Sequence, residues 1–98
     1  MYWVTILYPN KEGAKFDYNY YVNKHIPMTT MLFGQGIQIL KGVPSPVGAP
    51  PFLCTCRIPV KSLEEFVAKM TAEGTPLVAD VPNYTNVEAV IQFEEVLQ

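Results

Sequence analysis

The segment YWVTILY, Tyr2–Tyr8, sets the hardest condition on any fold of this chain. Its aromatic and β-branched residues read as a strand, closed by a turn at Pro9-Asn10 with Gly13 following. One face carries Tyr2, Val4, Ile6 and Tyr8, the other Trp3, Thr5 and Leu7, and both are largely apolar. Such a strand has to be covered on both sides. A chain of 98 residues is one domain, spanning 1–98, and has little material for two covers. Folding at this size hides only about 60–65% of the unfolded surface. Charged residues are 16% of the chain, against roughly 25% in ordinary soluble domains, which points to surface covered by a second copy.

The rest of the chain supplies one of the two covers. Phe16-Asp17 reads as a hydrophobe followed by an N-cap, and at 100° per residue Tyr18, Tyr21, His25, Met28, Thr29 and Leu32 fall in one arc, with Gly34 and Gly36 ending the helix. Pro27 lies inside this pattern and has no N–H for the carbonyl of Asn23, so a kink or split is expected just after His25. GIQILKGV is a second strand, PSPVGAPP a stiff connection, and FLCTCRI a third strand with Phe52, Cys54, Cys56 and Ile58 on one face. Ser62-Leu63-Glu64-Glu65 is a capping box, and Leu63, Phe66, Val67 and Met70 recur at helical spacing before Gly74. TPLVADVPNYTN reads as irregular, and NVEAVIQFEEVLQ as one long final strand. The order β-α-β-β-α-β is the split βαβ, or ferredoxin-like, α+β arrangement, with an antiparallel sheet and both helices on one face. The other face then needs a partner, for which the same face of a second subunit is the simplest choice.

Several function classes drop out. A net charge of −2 with seven scattered basic residues gives no footprint for nucleic acid. No apolar run approaches the ~18 residues of a membrane span, and the N-terminal residues carry no export signal, so a cytoplasmic protein is expected. Cys54 and Cys56, one residue apart in a strand, are too far apart to bridge easily and read as reduced thiols. With a single histidine and no companion ligands for the CxC, no metal site is expected. Ser62 is used as a cap and has no histidine partner, and no glycine-rich phosphate loop is present.

Three motifs together resemble the EthD family of dimeric α+β barrel proteins over nearly the whole chain: YPN after the first strand, FDYNYYVNKHIP at the first helix and ADVPNYTN before the last strand. The resemblance implies a homodimer whose sheets meet face to face, with a pocket in each subunit between helices and sheet. Related barrels include cofactor-independent monooxygenases of polycyclic phenols, polyketide cyclases, lactone isomerases and some haem proteins, so the pocket rather than the fold sets the reaction. On this resemblance His25 and Tyr21 match pocket positions, and Asp80 and Asn83 match the late motif.

His25 is the one side chain here suited to moving a proton near neutral pH, and Tyr21, one helical turn earlier, is placed to orient an incipient anion. The competing reading is a packed histidine that bonds the carbonyl freed by Pro27. Met28, Leu32, Phe66 and Met70 fit the wall of an apolar ligand site and fit an ordinary core. Asp80 and Asn83 are candidate substrate contacts, with turn formation as the alternative for Asp80. The expectation is a small homodimer that binds a largely apolar, oxygenated organic molecule without a cofactor and rearranges or oxidises it with His25 as base. Its rivals are a non-catalytic carrier or accessory of an oxygenase system, and haem ligation by His25.

Overall fold

The computed structural model describes all residues, Met1–Gln98, and the chain folds in the ferredoxin-like βαββαβ order expected from the sequence. The strands are β1 (Tyr2–Pro9), β2 (Gln38–Lys41), β3 (Phe52–Val60) and β4 (Val90–Glu95), in the antiparallel order β2-β3-β1-β4. The strand with two apolar faces is thus internal, and β2 and β4 are the edges. Val4 pairs with Ile58 and Phe93, Ile6 with Cys56 and Ile91, and Tyr8 with Cys54, so one face is a continuous apolar layer. Val4, Tyr8, Cys54, Cys56, Ile58 and Val60 are buried there under the helices. Both thiols are free, as their spacing predicts.

The first helix is split, for the reason Pro27 supplies. Asp17 caps α1 (Tyr18–Tyr20) by accepting the Tyr20 N–H at 3.0 Å. A π-helical turn follows over Tyr21–His25, closed by the Ile26 N–H on the Tyr21 carbonyl, before α2 (Ile26–Phe33) starts afresh. The wide turn puts Pro27 in the first turn of α2, where its missing N–H costs no helical bond. Gly34, at φ 88°, ends α2 with its N–H on the Thr30 carbonyl.

The second half departs from expectation in three places. Ser62 caps α3 (Leu63–Glu73) as predicted, accepting the Glu65 N–H at 3.1 Å, and Phe66 is buried, but Val67 of the proposed stripe faces outward. TPLVADVPNYTN is not irregular: it forms α4 (Thr75–Asp80), with Pro76 in its first turn, and a 3₁₀ turn (Val81–Asn83). Proline at a helix start is favoured, so two prolines six residues apart mark two short helical turns here and not a loop. The final strand has six residues, not thirteen. Val87 is still buried, while Val90, Ile91, Phe93, Val96 and Leu97 are each more than two-fifths exposed.

The opposite face of the sheet carries Trp3, Leu7, Leu40 and Val90 around a polar centre. In that centre Glu94 accepts hydrogen bonds from the Thr5 hydroxyl and the Gln92 amide, and Arg57 lies 3.7 Å from it. No helix covers this face. No helix of the chain is long and apolar enough to cross a membrane.

Candidate functional site

The π-helical turn decides which side chains meet. In an unbroken α-helix, positions 20 and 25 stand about 140° apart, which would send Tyr20 away from His25. An i→i+5 turn brings residues five apart to the same side. The Tyr20 hydroxyl accordingly donates to Asp80 Oδ1 at 2.6 Å, while His25 Nδ1 lies 2.9 Å from Asp80 Oδ2. Asn83 Nδ2 adds a third bond, to Oδ1 at 3.0 Å. The end of α4 and the 3₁₀ turn after it therefore deliver one carboxylate to two residues of the first helical segment.

Asp80 is held below the usual carboxylate range, foremost by the Tyr20 hydroxyl, with Asn83 and His25 adding to it and partial burial working against it. A carboxylate on Nδ1 fixes the imidazole's orientation and, in the neutral ring, its proton on that nitrogen. Nε2 is then the free basic nitrogen. It has no hydrogen bond within the protein, and no fully buried side-chain nitrogen or oxygen is left unpartnered, so Nε2 borders accessible space. The packing alternative, in which His25 bonds the carbonyl freed by Pro27, is not what forms.

His25 lines a cavity of about 130 Å³ between the helices and the sheet. Fourteen of its sixteen lining residues are hydrophobic, and none carries a formal charge apart from whatever proton His25 holds. Ile6, Cys56 and Ile58 form its floor, and Phe33, Phe66 and Met70 come from the helices above. Leu77, Val78 and Val81 close it from the segment that the sequence presented as irregular. Val78 on α4 and Ile91 on β4 line the cavity and are also exposed, which places its mouth between those elements.

Two phenols stand against the imidazole. Tyr21 stacks on it, with ring centroids 5.4 Å apart and planes 14° apart, and Tyr84 lies 4.6 Å away at a steeper angle. The hydroxyls of Tyr8 and Tyr84 are hydrogen-bonded at 2.8 Å. Burial pushes Tyr8, Tyr21 and Tyr84 above the ordinary phenol range, so all three are neutral donors at any working pH.

The residues singled out from the sequence are divided by the fold. His25, Tyr21, Phe66 and Met70 meet at the cavity, and Asp80 and Asn83 support His25 from behind. Met28 and Leu32 do not reach the cavity: they lie with Met31 and Pro76 on a separate outer cleft, because the π-turn rotates α2 relative to the residues before it. Sequence reasoning missed Tyr8 and Tyr84, and a constant helical pitch set Tyr20, a weaker candidate, on the side away from His25. The available signal for Tyr84 is a large aromatic between asparagine and threonine in a polar segment, where burial needs a specific partner.

No set of three or more His, Cys, Asp or Glu side chains is placed to hold a metal ion. A cavity of about 130 Å³ does not accommodate a tetrapyrrole, so the site does not fit haem.

No family model and no curated protein matches the chain. Two solved structures do. An EthD family protein from Bacillus halodurans is 20% identical, with a TM-score of 0.69 and 99% of each chain covered, which shows the shared fold. An EthD-like protein from Ralstonia eutropha is 32% identical, with a TM-score of 0.91 over 99% of this chain and 92% of that one. At that identity over almost the full length of both chains, the protein belongs to the EthD family.

Proposed function

We propose that the protein binds a largely apolar, oxygenated organic molecule in the cavity beside His25, and that His25 acts there as a general base. The observation that carries this reading is the Asp80–His25 pair, which leaves Nε2 as the one basic atom at an otherwise uncharged cavity. A proton on carbon or oxygen of a bound guest would pass to Nε2, with Asp80 stabilising the imidazolium that results. Tyr21 and Tyr84, neutral donors in a water-poor space, would hold the anion left behind. Cyclisation, isomerisation and oxygenation of an acidic organic substrate all begin with that step.

Assembly as a homodimer through the uncovered sheet face is part of the proposal. Only 16 of 98 residues are buried in the single chain, and Trp3, Leu7, Leu40 and Val90 form an apolar surround to the Thr5, Arg57 and Glu94 network. Sedimentation of the wild type as a dimer and of Leu7→Glu as a monomer is the expected result.

The catalytic reading is tested by turnover of a substrate found by screening carbonyl and phenol compounds. His25→Gln should reduce kcat by at least about a hundredfold, the usual span for general base catalysis. Full activity in that variant would refute the assignment. The second reading is a carrier that takes up and releases such a molecule unchanged. It is favoured by the cavity having one acid/base group and no charged partner for a second proton transfer, and it predicts unaltered ligand after prolonged incubation in air.

A further inference from the structure

We propose that the cavity selects a neutral guest of about one ring that offers an oxygen as hydrogen-bond acceptor and an acidic hydrogen as donor, and that it rejects carboxylates and fused-ring compounds. The inference rests on the reading above that the space beside His25 is the ligand site, and it adds the size, charge and polarity of what enters.

Size comes from the volume. A cavity of about 130 Å³ is slightly smaller than the roughly 150 Å³ apolar cavity known to accept benzene. One six-membered ring fills the enclosed part of such a space, and a second fused ring would have to stand in the mouth between α4 and β4. The walls do not give way easily on the sheet side, because Cys56 and Ile58 belong to an internal strand paired on both edges.

Charge comes from what the lining lacks. No lysine or arginine contributes to it, and the nearest ionised group behind the imidazole is the Asp80 carboxylate. A carboxylate guest would lose its water and find as its one cation an imidazolium whose charge Asp80 already balances. Removing an ion from water without such compensation is strongly unfavourable.

Polarity comes from counting phenolic hydrogens. Tyr8 and Tyr84 together carry two, and the single hydrogen bond between their hydroxyls uses one of them. The next hydroxyl, that of Tyr21 beside Tyr8, brings a hydrogen of its own, and the sulfur of Cys56 beside it is a weak acceptor. The wall therefore presents one O–H in search of an acceptor. Across the cavity, His25 Nε2 is an acceptor in search of a donor, since Nδ1 is committed to Asp80. A phenol supplies both halves, and an enolisable ketone supplies the acceptor with a carbon-bound proton for Nε2 to remove, whereas a hydrocarbon of the same size supplies neither.

The test is NMR titration of the full-length protein with phenol, cyclohexanone, toluene, benzoate and 2-naphthol, reading the ring signals of the only histidine and the dissociation constant of each probe. Phenol and cyclohexanone should shift the His25 signals. Toluene should bind roughly tenfold more weakly, the loss of about one hydrogen bond. Benzoate and 2-naphthol should leave the signals in place at the concentrations that saturate phenol. Tyr84→Phe removes one phenolic hydrogen together with the bond that used one, so it should keep the phenol-over-toluene preference, and loss of the preference in that variant would overturn the count. Equal binding of benzoate or 2-naphthol, with the same His25 shifts, overturns the selectivity while leaving the site intact. If none of the five probes moves the His25 signals, the selectivity and the ligand-site reading both fail.

Discussion

Removing one hydroxyl from the Tyr8–Tyr84 pair should cost more than removing both in proportion. The two oxygens are 2.8 Å apart and each residue is only 3% exposed, so water does not replace a lost partner. A buried polar group stripped of its partner costs about 1–3 kcal/mol, whereas replacing both groups by apolar ones of the same shape is close to neutral. Tyr84→Phe and Tyr8→Phe should each destabilise within that range. Tyr8→Phe should cost more, because an abandoned Tyr8 can turn to its neighbour Tyr21 while an abandoned Tyr84 has no such phenol to replace it. The double variant should lie well short of the sum, giving a coupling energy of about 1–2 kcal/mol. In thermal melts each kcal/mol corresponds to about 4–8 °C for a domain of this size. The assay is urea denaturation of the four proteins at one fixed concentration, because an associating chain gains stability with concentration. Single-variant costs that add to within about 0.5 kcal/mol would show that the hydrogen bond contributes nothing net, and the count of phenolic hydrogens used for ligand selection would lose its basis.

Three other outcomes follow from the same geometry. Asp80→Asn should lower stability by about 1 kcal/mol at neutral pH after allowing for solvent screening. Because the folded carboxyl is depressed, its contribution is complete above the ordinary carboxylate range near pH 4 and is lost as pH falls through the lowered folded value, so the gap between wild type and variant should narrow and close as acid protonates the folded carboxyl in acid denaturation curves. Gly34→Ala should cost about 1–2 kcal/mol in urea unfolding, and the cost is conformational, since no atom lies within 4 Å of the added Cβ while φ is +88°. Burial lifts the thiols of Cys54 and Cys56 to about 12 and about 11, so neither should react with Ellman's reagent at pH 8 until urea unfolds the chain, when both should react together.

The parts of the fold written in local patterns were legible. Two-sided apolarity in Tyr2–Tyr8 marked a strand covered on both faces, which lies inside the sheet, and alternation in Phe52–Ile58 put Cys54 and Cys56 on one face, which the helices cover. The Asp17 and Ser62 caps stand where their sequences put them. What could not be read depends on long-range geometry. A constant 100° per residue fails across Tyr21–His25, and with that one change Tyr20 joins the site while Met28 and Leu32 leave it. The segment from Thr75 to Tyr84 has two prolines and little periodicity, yet it supplies a wall of the cavity and the partner of His25. No local rule pairs Asp80 with a residue fifty-five positions away.

The π-helical turn makes residue count, more than residue identity, the variable that holds this site together. It is a helix with one residue too many, and the surplus is absorbed between Tyr21 and His25. Deleting any one exposed position within it, such as Asn23, would let the segment relax to ordinary helical pitch and leave almost every side chain of the site in the sequence. Tyr20 and His25 would then no longer share the Asp80 carboxylate. Homologues that keep every tyrosine and the histidine but differ in length across this turn should therefore be expected to do different chemistry.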